Sequence, residues 1–147
     1  MQNRSWKREV WPTIDIYRDV KTGEYQVQPY TEGPVATTAF GEPTVITAED
    51  FDLKIADAVL ANLEKFGKEK FDQRRAILRS PSEQKQFLKR HLGVSIEKPA
   101  SGGLLIRPLH HEGGGFVGLD EDAITLSEGD LLHKLADAVA EAFKRAT

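Results

Sequence analysis

Lys54-Ile55-Ala56-Asp57-Ala58-Val59 decides how this chain is read, because it returns 80 residues later as Lys134-Leu135-Ala136-Asp137-Ala138-Val139. At the same spacing, Thr47 and Asp50 are matched by Ser127 and Asp130. Each pair is a Thr/Ser-x-x-Asp signal ahead of an amphipathic run, where side-chain oxygens satisfy N–H groups that a first helical turn leaves open. Further out, Ile14-Asp15-Ile16 is matched by Val94-Ser95-Ile96, and Val27-Gln28-Pro29 by Ile106-Arg107-Pro108 at a spacing of 79. A period of this length, carrying strands and then a helix, predicts one folding unit used twice. The expected fold is α+β, with duplicated strand-strand-(strand)-helix halves at about 13–67 and 94–147 and a helical connector over 68–92. A mostly antiparallel sheet with packed helices in a single domain, 1–147, follows from that plan.

The first half opens on a polar arm holding Trp6 and Trp11, read as tied down by those rings. Thr13–Arg18 and Glu24–Tyr30 alternate apolar and polar residues around a Gly23 connection, which predicts a hairpin. Pro29 has no N–H for a ladder and is expected at a strand end or edge. Val35–Phe40 and Thr44–Ile46 are short runs broken by Gly41-Glu42-Pro43. Phe51, Ile55, Val59, Leu63 and Phe66 then lie on one helical stripe, with Gly67 as its stop. Lys68–Arg79 is compatible with helix, and Ser80-Pro81-Ser82-Glu83 starts another through a capping box with proline in its first turn. Phe87, Leu88, His91 and Leu92 give that helix a partial stripe before Gly93. In the second half, Leu104-Leu105-Ile106 reads as a central strand buried on both faces. His110–Gly115 reads as a loop, Phe116–Leu119 as a short strand and Asp120-Glu121-Asp122 as an acidic turn.

The chain is 147 residues long, with 39% hydrophobic and 29% charged residues, the balance of an ordinary globular protein. It has no cysteine, which excludes disulfides and thiolate zinc sites. The N-terminus lacks the apolar core of a secretory signal and no run reaches the length of a membrane span, so a soluble, cytoplasmic protein is expected. The net charge of −3 is unevenly distributed. Residues 65–90 carry nine Lys/Arg against Glu69, Asp72 and Glu83, a local +6 that leaves −9 for the rest. Such asymmetry bears on partners rather than on fold.

Chemistry-bearing patterns are sparse. His110-His111-Glu112 offers ligands of the kind zinc or iron takes, but neighbours on a strand point to opposite faces and the His-Glu-x-x-His pattern is absent. Gly113-Gly114-Gly115 lacks the strand-loop-helix context and the glycine spacing of phosphate-binding loops. Carboxylate pairs such as Glu49/Asp50 and Glu128/Asp130 sit in first helical turns, where the helix dipole favours anions. The phenylalanines of the basic segment, Phe71 and Phe87, fall on its apolar side, so nucleic-acid binding is not expected. No catalytic residue, metal or cofactor is assigned.

The run Leu105-Ile106-Arg107-Pro108-Leu109-His110-His111 entering a glycine-rich loop, then Ile124-x-Leu126-Ser127 opening the last helix of a two-copy chain, resembles a known group of proteins. These are the bacterial immunity proteins of contact-dependent growth inhibition systems. The resemblance implies a cytoplasmic, non-enzymatic protein that binds the C-terminal domain of a toxin delivered by a neighbouring cell, often a nuclease. Inhibition then comes from occluding that domain's active site or substrate surface.

Between Glu112 and Asp130 there are six acidic residues and no Lys or Arg. Acidic loops complement the basic groove a nuclease must present, so Glu112, Asp120, Glu121 and Asp122, with Phe116 as an apolar anchor, are the expected partner-binding residues. Two other classes stay open, an adaptor subunit of a phage or secretion assembly and a small metal-dependent enzyme using His110 or His111. A homodimer also stays open.

Overall fold

The computed structural model describes residues 10–33, 37–68 and 71–147. The duplication is visible strand by strand. The first copy contains β1 (Thr13–Asp19), β2 (Tyr25–Glu32), β3 (Thr37–Ala39), β4 (Thr44–Ile46) and α1 (Phe51–Lys65). After α2 (Pro81–Arg90), the second copy repeats the order as β5 (His91–Glu97), β6 (Leu104–Glu112), β7 (Gly115–Gly118), β8 (Ile124–Leu126) and α3 (Leu131–Arg145). All pairing is antiparallel, in the order β3-β2-β1-β5-β6-β7, with β4 beside β2 and β8 beside β6.

The registers coincide between the copies. Ile16 faces Val27 and Ile14 faces Pro29 in the first, while Ile96 faces Ile106 and Val94 faces Pro108 in the second. The copies join along β1 and β5, where Ile14 pairs with Ile96, Asp15 with Ser95 and Ile16 with Val94. Because Asp15 and Ser95 are themselves equivalent positions, the pseudo-two-fold axis passes through that pair.

One face of the sheet carries Ile14, Ile16, Val27, Val94, Ile96 and Ile106, all completely buried under α1 and α3. Each such side chain contributes about 1.5–3 kcal/mol relative to leaving it in water. The helices bury the same positions of the repeat. Phe51, Ile55, Ala58, Val59, Asn62 and Leu63 of α1 answer Leu131, Leu135, Ala138, Val139, Ala142 and Phe143 of α3. Even an exposed ion pair recurs, Lys54–Asp50 in one copy and Lys134–Asp130 in the other. No helix among the described residues is long and apolar enough to cross a membrane.

Four expectations need correction. The stretch after residue 70 is not helical as far as Arg79. It makes one 3-10 turn, Gln73–Arg75, and then runs extended, with Ala76 bridged to Phe40 and the Ile77 N–H donated to the Ala39 carbonyl (3.0 Å). Phe71, Ile77 and Leu78 make no continuous helical stripe, so pairing with the open edge of β3 wins. The second copy starts at His91 rather than Val94, since His91 and Leu92 already pair with β1. Gly93 therefore does not stop a helix. A Cβ there would lie 2.9 Å from Leu109 Cδ1, so glycine is needed for close approach.

Pro29 is not at a strand end either. Its carbonyl points outward and accepts the Phe40 N–H (3.1 Å), so its missing N–H falls where the outer partner changes from β4 to β3. Pro108 occupies the same gap between β8 and β7. Finally, His110–Glu112 is not loop: β6 runs to Glu112, and only Gly113 and Gly114 form the turn. The expected arm lies partly outside the described residues. Trp11 is half-buried, and its indole N–H has no partner among them.

Candidate functional site

The β6–β7 hairpin is closed by a two-residue turn in which Gly113 (φ 59°) and Gly114 (φ 82°) both adopt the left-handed region. Side chains are strained there, and the twist of such a turn suits two antiparallel strands. The turn sets Glu112 opposite Gly115 at the tip and Leu109 opposite Gly118 at the base. The chain then passes Leu119 and makes a 3-10 turn over Asp120–Asp122 before β8. Glu112 thus stands at one end of β7 and the Asp120–Asp122 turn at the other, roughly 10 Å apart along the strand.

The four predicted carboxylates divide into three environments. Glu112 and Glu121 are exposed and make no ion pair among the described residues. Asp120 accepts from Arg107 Nε (2.9 Å), while Arg107 Nη1 donates to Glu97 (2.7 Å). Arg107 is held between the two carboxylates with its side chain 18% exposed, whereas Asp120 remains 89% exposed. Asp122 lies 2.8 Å from His110 Nε2, and the other ring nitrogen of His110 is 2.7 Å from Thr147 Oγ1.

Phe116 turns away from the carboxylates. It is half-buried on the sheet face opposite α1 and α3, with ring centroids of Tyr17, Phe87 and His111 at 5.5, 6.4 and 4.9 Å. The structure therefore gathers the four carboxylates along one rim and places the aromatic residue in a separate ring cluster.

His110 and His111 face opposite ways. Where His110 meets Asp122 and Thr147, His111 donates Nε2–H to the His91 carbonyl (3.0 Å), which fixes its tautomer. Among the described residues, no three His, Asp or Glu side chains converge as metal ligands.

A second polar cluster, on the same face as Phe116, escaped the sequence reading. Asp15 Oδ2 accepts from the hydroxyls of Tyr17 (2.8 Å) and Tyr30 (2.6 Å). Although Asp15 retains some surface as a residue, burial around its carboxyl raises the pKa, and hydrogen bonds from Tyr30, Tyr17 and Ser95 with the charge of Arg79 offset only part of this. Burial and the adjacent carboxylate in turn hold both phenols protonated, far above their ordinary value. Arg79 lies over the Phe87 ring at 3.7 Å and closes the cluster from above. Its donors and acceptors serve one another, so it acts as an internal network. The only sequence signal was a charged residue, Asp15, between two core isoleucines at the centre of a duplicated strand.

No family model matches this chain, and no curated protein matches it significantly. Among solved structures, a Neisseria meningitidis protein of unknown function aligns with 97% of this chain and 99% of its own, with a TM-score of 0.69 and 14% identity. At that identity the likeness is one of fold alone.

Proposed function

We propose that this chain is a cytoplasmic immunity protein that binds the C-terminal domain of a cognate toxin and occludes its active or substrate surface, with no catalysis of its own. The observation that carries the reading is the acidic rim along β7, where Glu112 and Glu121 stand exposed without a basic partner among the described residues. Unpaired exposed carboxylates raise the rate of encounter with a basic surface and orient the complex. The sequence resemblance supplies the partner class. Asp120 and Asp122 already hold Arg107 and His110, so they frame the rim while Glu112 and Glu121 remain free for a partner.

The test first reads the gene beside the one for this chain; if it encodes a large exported protein, the C-terminal domain of that protein is expressed with and without this chain. Co-expression should restore growth, and the purified proteins should form a stoichiometric complex. The double reversal Glu112→Lys with Glu121→Lys should slow association about tenfold or more at low salt, and much less at high salt, where screening has already removed the attraction. Lys85→Glu with Lys89→Glu, on the exposed side of α2, is the control. Arg75 and Arg79 are poor controls because they stack on Phe40 and Phe87. Loss of binding in the α2 pair with the rim pair silent would overturn the assignment.

A further inference from the structure

The two copies differ in how they finish the outer edge of the sheet. In the first, residues 75–77 cover β3: Ile77 N–H donates to Ala39 O (3.0 Å), Gly41 N–H donates to Arg75 O (3.2 Å), and Phe40 is bridged to Ala76. In the second copy, β7 holds the equivalent place, since Leu109↔Gly118 repeats Tyr30↔Ala39 and His110↔Val117 repeats Thr31↔Thr38. Nothing among the described residues covers it.

The register identifies which groups are left open. A two-residue turn makes Glu112 and Gly115 the hydrogen-bonded closing pair, so Gly115 and Val117 spend their backbone groups on β6. Phe116 and Gly118 then direct N–H and C=O outward. The first copy agrees, because Ala39, equivalent to Gly118, is the residue whose carbonyl receives Ile77. Neither Phe116 nor Gly118 has a backbone partner among the described residues.

Open edges are ordinarily blunted by proline, lysine or a bulge, whereas β7 is Gly-Phe-Val-Gly and, among the described residues, is protected by its shortness alone. Gly115 has open space around it, whereas the Arg107 and Leu109 side chains lie against Gly118. Carboxylates mark both ends, Glu112 at the tip and Asp120 with Glu121 at the base.

We infer that β7 is an acceptor edge, and that a Lys/Arg-bearing extended segment of the partner adds there as a further strand, in the position that residues 75–77 fill on β3. Main-chain hydrogen bonds to Phe116 and Gly118 fix the segment, and the carboxylates select its charge. A second copy of this chain is a poor occupant, because edge-to-edge pairing would bring two acidic rims together. The inference rests on the reading of the partner as a basic toxin domain.

The experiment measures residue-resolved amide exchange by NMR on the intact protein, using capped peptides as probes. They are a seven-residue Lys-Val alternating peptide, the same peptide with proline replacing valine, and a Glu-Val counterpart. The Lys-Val peptide should slow exchange at Phe116 and Gly118 by about tenfold or more, with Gly115 and Val117 already protected and unchanged. The proline and Glu-Val peptides should give no such protection. The Glu112→Lys/Glu121→Lys variant should exchange the preferences of the Lys-Val and Glu-Val peptides.

Equal effects of the proline and valine peptides would reduce the rim to charge steering and overturn the strand acceptor. So would protection that grows with protein concentration alone, since the occupant would then be a second copy. Toxin-domain binding without protection at Phe116 and Gly118 removes the edge proposal only. Protection by the Lys-Val peptide without toxin binding removes the functional reading only.

Discussion

Asp15 shows how one position can carry a consequence that its own strand does not announce. Its carboxyl pKa lies above the ordinary 3.8 because burial outweighs the hydrogen bonds of Tyr30, Tyr17 and Ser95. A folded carboxyl that holds its proton more tightly than the unfolded one contributes stability fully present below pH 3.8. That contribution is lost as pH rises through the folded value. Wild type should therefore lose stability relative to Asp15→Asn as pH climbs from about 3.5 to 7, read from urea midpoints across the series. Parallel curves for the two proteins would mean that the carboxyl is unperturbed. Phe116 is a second case at this scale. Held between the rings of Tyr17, Phe87 and His111, it should behave as a packing residue. Phe116→Ala should cost about 2 kcal/mol of unfolding free energy, below the range for a fully buried phenylalanine. A loss in toxin affinity with unchanged stability would instead make the ring a partner contact.

Among the elements, α2 is the one set by local chemistry. Ser80 Oγ accepts from the Glu83 N–H and Glu83 Oε1 accepts from the Ser80 N–H, both at 3.2 Å, with Pro81 in the first turn. The Ser80 backbone N–H, followed by its side chain, holds the Glu83 carboxyl below its usual value. Ser80→Ala should cost about 1 kcal/mol in thermal or urea unfolding, whereas Ser82→Ala, which caps nothing, should be near neutral. Equal effects at the two serines would discount the cap. The neighbouring stretch 71–79 illustrates the opposite case. Its residues suit a helix well enough, yet the exposed backbone of β3 offers Ile77 a partner that local propensity does not weigh.

At the scale of the molecule, the halves are repeats in sequence but not separable units. β1 and β5 pair over seven residues, from Thr13↔Glu97 to Asp19↔His91, and α1 and α3 share one apolar cluster. Cutting between residues 70 and 71 should therefore leave each fragment largely unfolded by circular dichroism. Mixing the fragments should restore helix and strand signal with a concentration-dependent midpoint. A half that folds and unfolds cooperatively by itself would show that the shared core is dispensable.

The periodic part of this fold is legible from residue spacing. The helix stripes, the Thr47 and Ser80 caps and the matching strand patterns all arise from interactions within a few residues or from a repeated unit, so spacing alone exposes them. The acidic residues of the rim were equally legible as a composition bias. The tertiary structure alone decided which of those carboxylates stay free, because Arg107 and His110 reach Asp120 and Asp122 from a neighbouring strand. It alone decided that Asp15 meets Tyr30 across β1 and β2, and that residues 75–77 finish one edge of the sheet while β7 stays open. The physical reason is common to these cases. A long-range hydrogen bond or ion pair depends on which strands become neighbours, and hydrophobic periodicity tells which face of a strand is buried without telling what lies across its edge.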